Sequence, residues 1–196
     1  GMSTWEELDI AVDSLMKFHS QITVLQCTSE YPCDNTKIGL NIMEEMKERY
    51  GLPVGLSDHC MNNYSAFSAV ALGASVVEKH LTFSREMYGS DAVHSLEPKE
   101  FKELVEGINT IRQIITTPVD KNELAMSLSD MRKVYQKSIV SVVDIHKGEI
   151  ITGDMLGIKK PGTGIPPSMI NSVLQRRARK NIAEGNLINM DDLEDA

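Results

Sequence analysis

Two short segments decide the fold, Val54-Gly55-Leu56-Ser57-Asp58-His59 and Ala74-Ser75-Val76-Val77-Glu78-Lys79-His80. Each begins as an apolar run typical of a buried parallel strand and ends in polar residues with a histidine last. The stretch between them, residues 64–73, has a helix-like pattern, so we expect a strand–helix–strand unit. In parallel α/β folds, functional residues gather at the carboxyl ends of the strands, which is where both histidines fall.

The alternation of side chains along a strand predicts which residues face the same way. Ser57 and His59 are expected to share one face, while Asp58 takes the other. By the same rule Glu78 and His80 share a face. Two imidazoles at neighbouring strand ends could bind a divalent metal ion. A lone buried histidine is more often a hydrogen-bonded core residue than a metal ligand. The residue pattern alone leaves both roles open for these two histidines.

Composition narrows the class of protein. The chain has 196 residues, 41% hydrophobic and 24% charged, with a formal net charge of −8. This charge argues against a nucleic-acid partner or an anionic membrane surface. No apolar run approaches the roughly 20 residues of a membrane helix. The 3 cysteines form no CxxC pair, which favours a reducing environment over a disulfide framework. We therefore expect a cytoplasmic protein.

The first part of the chain has the rhythm of a parallel sheet or a βα barrel. Ser3 or Thr4, followed by Glu6 and Glu7, predicts the start of an opening helix. Strands are predicted for residues 22–26, 53–56 and 75–80, and helices for residues 41–50, 64–73 and from Pro98 onward. A closed barrel needs eight strands, and a short parallel sheet leaves its edges unpaired. We therefore expect the chain to lack an amino-terminal portion of its natural fold.

A different composition begins after about residue 116. Residues 116–129 are polar and predict a linker, and residues 138–143 are strand-like. An internal repeat follows, in which residues 144–151 resemble residues 181–188 and Gly148 matches Gly185. Two such copies predict a small β-rich domain with pseudo-twofold symmetry.

Six short motifs stand in the order and at the spacings of a known family. They are Cys27-Thr28-Ser29-Glu30-Tyr31-Pro32, Gly55-Leu56-Ser57-Asp58-His59, Val70-Ala71-Leu72-Gly73-Ala74, Glu78-Lys79-His80, Tyr88-Gly89-Ser90-Asp91 and Ser95-Leu96-Glu97-Pro98. Through these motifs the chain resembles the sialic acid synthase (N-acetylneuraminate synthase) family. The tail, with Lys147-Gly148-Glu149 and Lys159-Lys160-Pro161-Gly162-Thr163-Gly164, is similar to that family's antifreeze-like (SAF) domain.

The resemblance implies an α/β fold in three parts. Residues 1–115 would be the carboxyl-terminal βα units of a TIM (βα)8 barrel, residues 116–135 a linker, and residues 136–196 a β-clip SAF domain. Family members are transferases that join phosphoenolpyruvate to an N-acetylated amino sugar, such as N-acetylmannosamine, giving a nine-carbon 2-keto acid and phosphate. The resemblance further implies a homodimer in which the SAF domain reaches the partner's barrel. From the net charge and the lack of a long apolar run we expect no nucleic-acid and no membrane partner.

The resemblance also assigns site residues. His59 and His80 match the ligands of a divalent metal ion, usually Mn²⁺ with Mg²⁺ as an alternative, which would polarise the sugar aldehyde. With Glu78 they are the expected catalytic residues. The expected substrate-binding residues are Ser29, Tyr31, Ser57, Asp91 and Lys160. Lys160 stands where many members carry arginine. Lysine keeps the positive charge but lacks the planar guanidinium group, so the substrate could carry a different acyl group or be a different sugar.

Several alternatives remain open. The chain could be a non-catalytic module whose SAF domain serves in sugar binding or oligomerisation. It could also be a related phosphoenolpyruvate aldolase-type enzyme acting on a sugar phosphate, although such barrels normally lack the SAF domain. Glu78 could orient a histidine instead of contacting the sugar, and Asp91 could be a turn residue or a helix cap. Asp58 and Lys79 are expected to pair with the flanking helices rather than to touch substrate.

Overall fold

Gly1–Pro118 forms the first of two units in the computed structural model, which describes residues 1–195, and the second unit begins at Val119. Helices and strands alternate through the first unit. Its elements are α1 (Trp5–Met16), β1 (Val24–Cys27), α2 (Leu40–Tyr50), β2 (Val54–Asp58), α3 (Tyr64–Ala71), β3 (Val76–Lys79) and α4 (Pro98–Thr116). The mixed α/β class and the strand–helix–strand unit are confirmed.

The three strands of the first unit form one parallel sheet in the order β1–β2–β3. Val24, Val54 and Leu56 on alternate strand positions are buried in a core that they share with Val12 of α1 and Met43 of α2. The intervening positions of β1 and β3 are half-buried or exposed. One face of the sheet therefore packs on helices, and the other carries the more accessible side chains.

Helix boundaries in this unit follow from local chemistry. The Thr4 hydroxyl accepts a hydrogen bond from the Glu7 N–H, and the Glu7 carboxylate accepts from the Thr4 N–H, so the capping box at α1 is confirmed at Thr4. Gly51 ends α2 with a φ of 62°, a left-handed conformation that favours glycine. Pro98 occupies the first turn of α4. None of the helices within residues 1–195 has the length and apolar character needed to cross a membrane.

The second unit opens with two short helices and continues as a β-rich fold. Its elements are α5 (Lys121–Ser127), α6 (Ser129–Tyr135), β4 (Ser138–Ser141), β5 (Leu156–Lys159), β6 (Arg177–Ala178) and β7 (Leu193–Glu194). Both helices fall in the stretch that we interpret as a linker, and the polar pattern does not predict them. Asp120 starts α5, because its carboxylate accepts from the N–H groups of Asn122 and Glu123 at 2.8 and 2.9 Å.

The β-rich part of the second unit consists of two similar halves. β4 pairs with β5 and β6 with β7, both antiparallel, and an antiparallel bridge joins Ile145 to Ile182 across the halves. Gly148 and Gly185 both have a φ of 84°, a conformation that residues with a side chain rarely adopt. The predicted internal repeat is thus confirmed. The buried core consists of Ile139, Ile145, Ile151, Ile165, Val173, Ala178, Ile182, Ile188 and Leu193.

Candidate functional site

Four of the predicted site residues meet at the carboxyl edge of the parallel sheet. Ser57 and Glu78 are register partners on β2 and β3, and the Ser57 hydroxyl donates to the Glu78 carboxylate at 2.7 Å. One residue beyond each strand, His59 and His80 stand edge to face with ring centroids 5.3 Å apart. The alternation of side chains places all four on the face opposite Asp58 and Lys79. On that face Glu78 is exposed, Ser57 and His80 are half-buried, and His59 is buried.

The His59 ring is held from two sides. Its Nδ1 lies 2.8 Å from the Thr28 carbonyl oxygen, and the Tyr31 ring stacks on it at 4.1 Å between centroids. A carbonyl oxygen accepts hydrogen bonds but cannot donate, so Nδ1 carries the proton. Nε2 is then left with a free lone pair, which is the arrangement found in metal-binding histidines whose other nitrogen is hydrogen-bonded.

A metal ion at this edge would take two imidazole ligands from the first unit. Within residues 1–195 no group of three or more histidine, cysteine, aspartate or glutamate side chains is placed to hold a metal. A metal bound by His59 and His80 would therefore need substrate or water oxygens to complete its coordination. Imidazole nitrogens suit a transition-metal ion better than Mg²⁺, which prefers oxygen ligands. The donor set fits an open site with two protein ligands.

Three further predicted site residues, Ser29, Asp91 and Lys160, belong to none of the three strands of the first unit. Ser29 follows β1 and is exposed. Asp91 is exposed and precedes a short 3₁₀ helix, and its carbonyl oxygen accepts from the Ser95 hydroxyl at 2.6 Å. Lys160 belongs to the second unit, where its Nζ lies 5.0 Å from the centroid of the Tyr135 ring. The roles expected for these three residues stay predictions.

His94 is a neighbour of the site that the sequence pattern does not indicate. Its ring centroid lies 6.4 Å from that of Tyr31, and the Tyr31 ring is also 5.7 Å from His80. His94 reaches this position through the 3₁₀ helix Ala92–His94, whose placement depends on tertiary packing. Its spacing from the two strands carries no signal that could have predicted the contact.

Asp58 and Lys79 form an ion pair on the other face of the sheet, with 2.8 Å between Lys79 Nζ and Asp58 Oδ2. Asp58 also accepts from the Ser65 hydroxyl of α3, so one of the helix partners that we expect is present. The remaining hydrogen bonds of the two side chains go to the main chain of Cys60 and Asn62. Both side chains are buried on this face, and the expectation that they do not touch substrate stays a prediction.

Cys60 follows His59, but its thiol is unreactive near neutral pH. Burial and the nearby Asp58 carboxylate raise the pKa of the Cys60 thiol to about 12, and its Sγ donates to the Cys33 carbonyl oxygen at 3.4 Å. The thiolate is the nucleophilic form of cysteine, so Cys60 is not available for nucleophilic catalysis near neutral pH.

The fold and the site describe an α/β protein with paired histidines at the carboxyl edge of a parallel sheet, joined to a β-rich unit of two repeated halves. Comparison with known proteins identifies the family. Residues 1–120 match the NeuB family and residues 136–194 match the SAF domain. The chain belongs to the NeuB family, and the resemblance inferred from its motifs is confirmed.

Two curated relatives match 96% and 100% of the chain. The N,N'-diacetyllegionaminic acid synthase of Campylobacter jejuni is 36% identical over 193 residues, which are 96% of this chain and 57% of the relative. The human N-acetylneuraminate-9-phosphate synthase is 31% identical over 198 residues, which are 100% of this chain and 54% of the relative. The chain thus spans about half the length of the curated relatives it matches.

Solved structures of two bacterial proteins match the fold. One is the N-acetylneuraminic acid synthetase of Leptospira borgpetersenii serovar Hardjo-bovis in complex with citrate, with a TM-score of 0.59 and 32% sequence identity. The match includes 68% of this chain and 48% of the Leptospira chain. The other is a spore coat polysaccharide biosynthesis protein of Bacillus subtilis, with a TM-score of 0.54 and 26% sequence identity. The match includes 98% of this chain and 59% of the Bacillus chain.

Proposed function

We propose that the chain is part of a sialic-acid-type synthase, a transferase that condenses phosphoenolpyruvate with an N-acylated amino sugar such as N-acetylmannosamine. The products are a nine-carbon 2-keto acid and phosphate. The observation that carries the proposal is the meeting of Ser57, His59, Glu78 and His80 at one sheet edge in a member of the NeuB family. The relatives named above are synthases of acids of this kind, which supports the reaction class.

The catalytic unit of this proposal is a closed barrel. A βα barrel closes with eight strands, and β1, β2 and β3 would supply three of them. Further βα units would complete the sheet and provide the remaining substrate contacts. The partial barrel is supported by the parallel order of the strands and by the carboxyl-edge position of the site.

Each site residue has a chemical task in the proposed reaction. Carbon 3 of phosphoenolpyruvate bonds to the aldehyde carbon of the sugar, water adds at carbon 2, and phosphate leaves from the tetrahedral intermediate. His59 and His80 would hold a divalent ion, Mn²⁺ or less suitably Mg²⁺, which supplies a Lewis acid for the aldehyde oxygen. The Glu78 carboxylate, held by the Ser57 hydroxyl, can orient a sugar hydroxyl and move a proton. Tyr31 would pack beside the sugar.

We further propose a cytoplasmic homodimer. Several apolar side chains on α5 and α6 are exposed, among them Met126, Met131, Val134 and Tyr135. Several exposed apolar side chains on one short segment favour burial against another protein surface. Lys160 would then act on the sugar bound by the partner subunit, and its single ammonium group would select a different acyl contact from the one that arginine makes.

The proposal is tested by phosphate release in a completed barrel. The chain is fused to the amino-terminal barrel half of the Campylobacter jejuni relative and assayed with phosphoenolpyruvate and a panel of mono- and di-N-acetylated sugars, with Mn²⁺ or with a chelator. We expect sugar-dependent phosphate release that the chelator abolishes. We expect His59→Ala and His80→Ala to lower it by at least about 100-fold, because each removes a metal ligand.

The matched control is Arg49→Gln, which breaks the exposed ion pair with Asp9 far along the chain from both histidines. It should leave phosphate release unchanged. Activity that persists in both histidine variants with unaltered metal affinity would refute the ligand assignment. Absence of phosphate release with every sugar would favour the non-catalytic module, in which the SAF domain serves in sugar binding or oligomerisation.

A further inference from the structure

We propose that Asp58 and Lys79 are positioning residues, a buried ion pair that fixes His59 and His80 in the orientation a metal ion requires. The inference rests on the proposed function, since it deepens the account of the same site. Asp58 immediately precedes His59, and Lys79 immediately precedes His80. The pair therefore acts on both histidines through one peptide bond each, from the opposite face of the sheet.

The Lys79 ammonium group uses all of its donors. It donates to Asp58 Oδ2 at 2.8 Å, to the Cys60 carbonyl oxygen at 2.7 Å and to the Asn62 carbonyl oxygen at 2.8 Å. The side chains of Lys79 and Asp58 are 2% and 1% exposed. A charged group is buried this completely only when its hydrogen bonds are satisfied, and here three acceptors converge on one cation.

Both oxygens of the Asp58 carboxylate also accept hydrogen bonds. Oδ1 accepts from the Cys60 N–H at 2.9 Å, and Oδ2 accepts from the Ser65 hydroxyl as well as from Lys79. Together the two side chains bind both the N–H and the carbonyl group of Cys60, the residue on the other side of His59. The main chain of His59 is therefore held at both of its neighbours.

The same turn is tied to the loop that follows β1. The His59 carbonyl oxygen accepts from the Cys33 N–H at 3.1 Å, while the His59 Nδ1 faces the Thr28 carbonyl oxygen. Any shift of the Cys60–Asn62 turn would move the His59 main chain and lengthen the Nδ1–Thr28 contact. That contact sets the tautomer that leaves Nε2 free for a ligand.

A purely structural role makes a different prediction from a positioning role. Removing one partner of a buried ion pair is strongly destabilising because the other charge is left uncompensated, whereas neutralising both partners together avoids that penalty. If the pair served only the fold, a double replacement would restore everything that a single one loses. If it positions the histidines, the double replacement restores folding but not the ring geometry, because an apolar side chain cannot hold the carbonyl groups of Cys60 and Asn62.

The experiment compares Lys79→Met with the double variant Asp58→Asn/Lys79→Met in the 196-residue chain. Three quantities are measured: denaturant stability, the His59 and His80 tautomers by ¹⁵N NMR at fixed pH without metal, and Mn²⁺ affinity by electron paramagnetic resonance. We expect the double variant to recover much of the stability that Lys79→Met loses. We expect its His59 to become a mixture of tautomers and its Mn²⁺ affinity to fall at least about tenfold.

Arg49→Gln is again the control, because it breaks an ion pair that involves neither strand end, and it should alter neither tautomer nor Mn²⁺ affinity. Ser65→Ala is a milder probe if the double variant does not fold, since it removes one donor to Asp58, and a smaller tautomer shift of the same kind is expected. Wild-type tautomers in the double variant, or in Ser65→Ala when only that one folds, would overturn the inference. If the unmodified chain binds no Mn²⁺, the proposed metal site fails while the tautomer comparison still decides the role of the pair.

Discussion

The hydrogen bond between Ser57 and Glu78 shows how single residues shape the site. The two residues are partners in the parallel register of β2 and β3, and the 2.7 Å contact holds the Glu78 carboxylate at the accessible face. Glu78 is exposed, so a molecule bound at this edge of the sheet can reach it. Its neighbours along the strand, Val77 and Lys79, point the other way and leave it unobstructed.

Glu78→Gln separates the charge of this group from its shape. The amide oxygen still accepts from Ser57, but the group can no longer take up a proton. In the completed enzyme we expect kcat to fall by roughly 100-fold, with a smaller change in KM. Steady-state phosphate release measures both constants. An unchanged kcat with a raised KM would assign Glu78 to substrate binding alone.

The sequence predicts which face of a strand a side chain occupies better than it predicts which groups that side chain contacts. Alternation along a strand is fixed by backbone geometry, so the separation of Ser57 and His59 from Asp58 could be predicted. The three acceptors around Lys79 could not, because they depend on how the Cys60–Asn62 turn folds back. The stacking of Tyr31 on His59 likewise joins loops far apart in sequence, and no periodic pattern encodes it.

At the scale of elements, helix ends were predictable where one residue supplies the cap. Thr4, Gly51 and Pro98 mark ends that local chemistry determines. The sequence does not predict α5 and α6, because each has only 7 residues and none of them is buried. Asp120, which caps α5, is the signal that could have predicted the first of them.

The 3₁₀ helix Met190–Asp192 depends on one buried carboxylate. Asp192 is 4% exposed and accepts from the Asn189 N–H at 3.0 Å, and Lys180 Nζ lies 2.7 Å from it. Burial alone would raise the pKa of Asp192, but the hydrogen bonds from Lys180 and the Asn189 N–H together hold that pKa below its usual value. The ionised form is therefore the one that stabilises the fold.

Asp192→Asn tests this carboxylate through the pH dependence of stability. A carboxylate whose pKa is lower in the folded than in the unfolded state stabilises the fold fully at pH values above the unfolded-state pKa of about 4. This stabilisation is lost as the pH falls through the folded-state pKa. We expect the variant to lose roughly 1–2 kcal/mol at pH 7 and the difference from wild type to shrink at strongly acidic pH. Urea unfolding at several pH values gives the comparison. Its exposed neighbour serves as the control, since Asp191→Asn should change little; a pH-independent deficit in Asp192→Asn would contradict the account.

At the scale of the whole molecule, the cores of the two units are separate in sequence. The buried cluster of the second unit draws only on residues 139–193, and the two clusters of the first unit lie within residues 5–108. Each unit therefore encloses its own apolar residues. Such a division is the usual mark of parts that fold independently.

We expect the second unit, residues 119–196, to fold when expressed alone. Its residues should unfold cooperatively with an enthalpy on the order of 50 kcal/mol near 60 °C. Scanning calorimetry of the isolated unit and of the whole chain provides the test, with the isolated transition expected at the same temperature as one of two transitions in the whole chain. Non-cooperative melting of the isolated unit would contradict its independence.

The repeated halves of the second unit are interleaved rather than stacked side by side. The Ser141 N–H donates to the Asn186 carbonyl oxygen, and the Gly148 N–H donates to that of Ala178, so each half completes the main-chain hydrogen bonding of the other. The arrangement is that of a dimer whose two subunits happen to share one polypeptide. Severing the segment that connects the halves would turn a first-order folding reaction into a second-order one, and the stability of the unit would then rise with protein concentration.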